Sequence, residues 1–283
     1  MGKHMAQLKD RRALITGAGS GLGKSLALHF SGKGWRVAVA DINAASAEQT
    51  VAEITKAGGQ ALALTIDVTS DTSWSQTVAR LQKEWGGLDL LVNNAGVASA
   101  GTVEDSPIEQ WQWIININLL GCVRGARAVI PLLKAQQGGH IVNIASFAGI
   151  ANPPAMASYN ATKASVISLS ETLRFELFPH QIGVSVACPS FFKTALMKTS
   201  GDQAPAGSNS SAPQMERIVN KLMETATITA ENVAADIYDA VIKNRFLVIT
   251  HPDAKQRYHL KRIAPELYFK MAQKVTAKFL QKI

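Results

Sequence analysis

The chain has 283 residues, 47% hydrophobic and 18% charged, with a net charge of +8. This composition excludes a disordered chain, and the length allows one or two domains with a sizeable buried core. Most of the basic excess lies in the last 31 residues, where eight basic side chains oppose only Asp253 and Glu266; the near-balanced body argues against a nucleic-acid partner.

Residues 1–5 read as an expression scar, and the start carries no apolar stretch long enough for a signal peptide. No uninterrupted apolar run of about 18 residues occurs, so no transmembrane helix is expected. Cys122 and Cys188 sit apart inside apolar runs, too few for a disulfide framework or a metal site, and fit a reducing, cytoplasmic setting.

From residue 12 onward, short apolar runs alternate with helical patterns. RALIT (12–16), RVAVAD (36–41), ALALTIDV (61–68) and LDLLVNN (88–94) read as strands, and 22–34, 44–59 and 71–85 as helices between them. A long helix is expected over 107–135, a fifth strand over 139–146, a helix over 157–177, a sixth strand over 182–189 and a seventh over 245–250. The strands are apolar on both faces, as in a parallel sheet covered on both sides. The Ser-, Gly- and Pro-rich segment 198–213 reads as a mobile substrate loop. The domains are then 6–252, a catalytic unit, and 253–283, a basic helical extension.

The first strand runs into TGAGSGLG, 16–23. Its glycines, with Gly17, Gly21 and Gly23 in a G-x-x-x-G-x-G spacing, leave backbone N–H groups and a helix N-terminus open to a pyrophosphate. Asp41 ends the next strand about 20 residues further on, where a carboxylate can bond ribose hydroxyls and repel a 2′-phosphate. Neither Ser20 nor Ile42 is basic, which favours NAD over NADP without excluding the latter. Asp67 and Val68, ending the third strand, are placed for the adenine edge.

SYNATK, 158–163, sets Tyr159 and Lys163 four residues apart, on one face of a helix. A free phenol with a pKa near 10 is a poor base at neutral pH. An adjacent ammonium favours the phenolate, so the pair reads as a tuned proton donor and acceptor.

Together, TGAGSGLG (16–23), NNAG (93–96), Asn118 in NINLLG, Ser146 in IVNIAS and YNATK (159–163) resemble the motifs of the short-chain dehydrogenase/reductases, in that family's order. The resemblance implies a three-layer, doubly wound Rossmann fold with a seven-stranded parallel sheet, a nicotinamide cofactor and hydride transfer between alcohol and carbonyl. Tyr159 would be the general acid/base and Lys163 would bind the nicotinamide ribose. Ser146 would hold the substrate oxygen, and Asn118 would anchor a water near Lys163. Asn93 and Gly96 would support the sheet and line the adenosine side. Further cofactor contacts are implied at Ser20, Leu22, Asn94, Ala95, Pro189 and Thr194. The chain departs from the family's Pro-Gly after the sixth strand, having Ser190 after Pro189. A homodimer or homotetramer is implied as well.

Phe147, Ile150, Met156, Phe192, Leu196 and Met197 flank the catalytic positions, so a hydrophobic alcohol or ketone is expected. No Arg or Lys is placed to clamp a carboxylate, although Lys193 and Lys198 lie nearby. In the tail, Pro265 opens a helix with Leu267, Met271, Val275 and Phe279 on one stripe and Lys270, Lys274, Lys278 and Lys282 beside it. Packing on the body or on a partner subunit is favoured over closure of the active site or contact with an anionic membrane surface.

Overall fold

The computed structural model describes residues 8–192, Leu196 and 212–280, apart from the side chains of 212–216, 275 and 278–280. Seven parallel strands form one sheet in the order β3-β2-β1-β4-β5-β6-β7: β1 (Arg12–Thr16), β2 (Arg36–Asp41), β3 (Ala61–Thr65), β4 (Leu90–Asn93), β5 (Gly139–Ile144), β6 (Ile182–Ala187) and β7 (Leu247–Val248). The strand order reverses between β1 and β4, the place where a parallel sheet opens a ligand crevice at its carboxyl edge.

Successive side chains of a strand face opposite ways, and β1 shows what this does here. Ala13 and Ile15 join a core beneath α1 (Gly21–Gly32) and α9 (Ala230–Ile242), with Leu26, Phe30, Val233 and Ile237. Leu14 joins the opposite core with Trp74 and Leu81 of α3 (Asp71–Trp85), Val129 and Leu133 of α5 (Gly121–Ala135), and Leu173 of α7 (Ala157–Leu177). Both faces of the strand are buried, which explains the apolar run Ala13–Ile15 at its centre.

Helix ends follow local chemistry. The Asn43 side chain accepts from Ser46 N–H at the start of α2 (Ala44–Lys56), and Ser70 accepts from Ser73 N–H at the start of α3, which Gly86 ends in the left-handed conformation. Thr229 and Asn232 form a reciprocal capping box at α9.

Four features depart from the sequence expectation. The helix expected over 107–135 is α4 (Ile108–Ile115) running into α5 through a π-helical turn, Asn116–Leu120. By length and composition Ile108–Ala135 could cross a membrane, contrary to expectation, but Val129 and Leu133 pack it onto the sheet. A short α6 (Ala148–Ala151) follows β5, and α8 (Ala212–Glu224) begins inside the segment expected to be a loop; the rest of that loop lies outside the described residues. The seventh strand shrinks to two residues.

The tail forms α10 (Pro252–Ile263) and α11 (Pro265–Leu280). Ala254 of α10 is fully buried beside Phe147 and Cys188. On α11 two members of the expected apolar stripe, Leu267 and Met271, are about half exposed, while Tyr268 is buried and donates to the Ala151 carbonyl; the side chains of Val275 and Phe279 lie outside the described residues.

Candidate active site

A cavity of about 970 Å³ opens at the carboxyl edge of the sheet. The loop between β1 and α1 forms one end. Gly17 has a φ of +63°, and a Cβ on Gly23 would run into the Gly17 carbonyl oxygen, so the turn closes only around glycine. Asp41 braces it: Oδ2 accepts from Gly19 N–H at 2.9 Å and Oδ1 from Asn43 N–H at 2.9 Å. Asn94 ties the same loop to the end of β4, donating from Nδ2 to Thr16 O at 2.8 Å, while Thr16 Oγ1 accepts from the N–H groups of Asn94 and Ala95.

Gly17, Ser20, Gly21, Leu22, Gly23, Asp41, Asp67, Val68, Asn94, Ala95, Gly96 and Pro189 all line this cavity, as do Ser146, Tyr159 and Lys163. The glycine-lined cradle and the carboxylate at the end of β2 fit a dinucleotide. Asp67 is engaged locally, accepting from Thr69 N–H and Oγ1. Asn93 supports the sheet, bridging β4 to β5 by donating to Asn143 Oδ1 at 2.9 Å, but does not line the cavity. Thr194, Met197, Lys193 and Lys198 lie outside the described residues.

Tyr159 and Lys163 face the cavity from the first two turns of α7 and are almost wholly buried. Lys163 Nζ donates to the Ile144 carbonyl at the end of β5. Burial pushes the Tyr159 phenol above its ordinary value, and a hydrogen bond with Ser146 pulls it back in part. Burial also lowers Lys163. Burial is thus the largest influence on the phenol in the chain without cofactor, which spacing along a helix does not reveal. Cys122 and Cys188 sit nearby, and burial pushes their thiols up to about 11 and about 12, which keeps them protonated.

Asn118 lies inside the π-helical turn and is fully buried. Its Oδ1 accepts from Val97 N–H, and its Nδ2 donates to Val97 O and Thr162 Oγ1. The amide is therefore committed to the segment after β4 and to α7, so Asn118 fixes one wall of the site against the helix that carries Tyr159. The extra residue of a π turn is a common device at functional sites.

A sequence profile described as short chain dehydrogenase matches residues 11–205. The chain belongs to the short-chain dehydrogenase/reductase family. Its relatives include a probable oxidoreductase, EphD, of Mycobacterium tuberculosis, 32% identical over 94% of this chain, although the match covers 45% of EphD, so the chain spans less than half of that relative's length. The trans-4-hydroxycyclohexanecarboxylate dehydrogenase of Sinomonas cyclohexanicum is 34% identical over 81% of this chain and 93% of its own. Among solved structures, a short-chain dehydrogenase/reductase of Burkholderia phymatum in complex with NAD superposes with a TM-score of 0.87 at 30% identity, covering 92% of this chain and 96% of the other.

In this member of the family the remaining wall of the cavity is largely apolar among the described residues. Phe147, Met156, Phe192 and Leu196 line it as expected, whereas Ile150 turns its carbonyl to Lys261 of α10 instead. Trp113 and Ile117 from α4 and the π turn, and Val219, Leu222 and Met223 from α8, were not anticipated. Their signal was present: Val219, Leu222 and Met223 have the 3-4 spacing of an amphipathic helix. Asp253 and Arg257 of α10 also line the cavity, so an arginine not weighed in the sequence stands at its wall.

His251, just before α10, holds the departure from Pro-Gly in place. Ser190 N–H and Thr250 Oγ1 both donate to its Nδ1, and its Nε2 meets the Phe191 carbonyl at 2.9 Å. These partners put the ring proton on Nε2. Ser190 and Phe191 line the cavity, so His251 fixes the backbone that follows β6.

Proposed function

We propose that the chain is an NAD-dependent oxidoreductase that interconverts a hydrophobic secondary alcohol and the corresponding ketone. The observation that carries this is a single cavity holding both the glycine cradle with Asp41 and the Ser146–Tyr159–Lys163 group. NAD supplies the hydride acceptor or donor when bound. Gly17, Ser20, Gly21, Leu22 and Gly23 would hold its phosphates, Asp41 its adenosine ribose, and Lys163 its second ribose.

The protein's own part is proton transfer and orientation. Ser146 holds the substrate oxygen and, through its hydrogen bond, directs the Tyr159 hydroxyl toward it. In oxidation the Tyr159 phenolate takes the hydroxyl proton; in reduction the phenol gives it back. The apolar residues keep bulk water away from the reacting carbon. The Sinomonas relative, named for oxidising a ring hydroxyl, supports a CH–OH substrate. The family resemblance supports a homodimer or homotetramer, and two buried free thiols support a reducing, cytoplasmic setting.

The test is a panel of aliphatic, aromatic and steroid-like secondary alcohols and ketones with NAD and NADP, followed by absorbance of the reduced nicotinamide. Turnover with NAD exceeding that with NADP is expected. Binding of NAD without turnover on any member would instead favour a dinucleotide sensor.

A further inference from the structure

Among the described residues, the charged side chains lining the cavity are Asp41, Asp67, Lys163, Asp253 and Arg257. The first two belong to the dinucleotide end and Lys163 to the reacting centre. Asp253 and Arg257 come from α10, in the extension, and have no part in that chemistry. Resting on the oxidoreductase reading, we propose that Arg257 recognises a carboxylate on the end of the substrate remote from the carbinol carbon, so that the preferred substrates are hydroxy or oxo acids with an apolar body.

The helix that carries Arg257 is fixed rather than adrift. Ala254, three residues earlier and so on the same face, is fully buried with Phe147, Cys188 and Ile249. Lys261 donates to the Ile150 carbonyl of α6, and His251 ties the start of α10 to Ser190 and Phe191. Arg257 is thus held to the same wall that presents Phe147, Ala148 and Ala151 to the cavity.

Arg257 pairs with Asp253 at 3.3 Å, and both side chains are more than half exposed (61% and 62%). They therefore stand at the rim. An exposed pair four residues apart on a helix contributes little stability, but it orients the guanidinium. With five N–H donors, an arginine that faces one carboxylate can still receive another in its planar fork. The surrounding charge selects the sign of the ligand: Lys255, Lys261 and Arg262 share the helix with one acid, Asp253. An anion is attracted there and a cation repelled. The rest of the lining, with Trp113, Phe147, Met156, Phe191, Leu222 and Met223, suits an aliphatic or alicyclic body between the two polar ends.

The test measures binding, so it does not depend on turnover. Octanoate and octanamide, a charged and a neutral ligand of nearly equal shape, are titrated calorimetrically into the full chain with NAD present. Octanoate is expected to bind about tenfold more tightly. Arg257→Gln should abolish this preference, while Lys255→Gln, which removes the same charge from an exposed position on the same helix, should retain it. Equal affinities in the unmodified protein, no measurable octanoate binding, or a preference that survives Arg257→Gln would overturn the proposal. Tighter binding of octylamine would also overturn it, by assigning the rim to Asp253. Failure of every alcohol and ketone to turn over would instead remove the oxidoreductase reading and leave this binding result standing.

Discussion

Lys163 Nζ lies 5.7 Å from the centroid of the Tyr159 ring and 2.9 Å from the carbonyl oxygen of Ile144. The two side chains share a face of α7, one turn apart, and burial pushes each toward its uncharged form. Four predictions start from this pair and from the loop it faces.

Replacing Tyr159 with Phe removes the hydroxyl while keeping the ring that packs near Val97 and Met156. Turnover should fall by about 10²–10⁴, the usual share of a general acid/base, with NAD affinity little changed. Steady-state rates and a direct NAD titration check this; a variant with undiminished turnover would deny Tyr159 its role.

The raised phenol sets the direction of the pH response. Oxidation needs the phenolate, so its kcat/KM should climb through the alkaline range. Reduction needs the phenol and should hold its rate until Tyr159 ionises, then decline. Profiles for the two directions on one alcohol–ketone pair should cross over in this sense.

Lys163→Met should stabilise the cofactor-free protein while abolishing activity. The folded value of Lys163 is depressed below the ordinary 10.5, so the stability linked to its titration is present above 10.5 and lost as pH falls through the folded value. Below 10.5 folding carries the cost of withdrawing this basic group from water, which the variant lacks. A gain of about 1–2 kcal/mol is expected near neutrality, shrinking as pH approaches 10.5, and denaturant unfolding at several pH values measures it.

Asp41→Asn keeps the shape and one acceptor for Gly19 or Asn43 but discards the charge. The ratio of kcat/KM with NAD to that with NADP should drop about tenfold or more. Asp41→Ala removes both braces of the loop as well, so it should also lower the melting temperature and weaken binding of either dinucleotide.

The sheet was legible because each strand and helix carries its own local period. Ser70 and Gly86 bound α3 at the residues expected, and the helix carrying Tyr159 and Lys163 spans 157–177 as read. The cradle was legible because a strand, a glycine run and a helix follow one another in the chain. What escaped depends on the third dimension. The π turn is one residue's difference in hydrogen bonding, invisible to a periodicity of 3.6. Helix α8 is masked by the Ser- and Pro-rich composition ahead of it. Arg257 is almost a hundred residues from Lys163 along the chain, and only the docking of α10 against Phe147 brings it to the cavity. The adjacency of Tyr159 and Lys163 is written in the sequence, and their burial is not.

The burial of Ala254 against Phe147 has a bearing on how such enzymes diversify. Bond-making groups are encoded early and the rim of the pocket late, with one small side chain as the joint between them. A recombination that exchanges everything from His251 onward would carry that joint with it, replacing the part of the cavity lining that α10 supplies while leaving the Ser146–Tyr159–Lys163 group untouched. A junction placed a few codons later would leave the incoming helix without its seat.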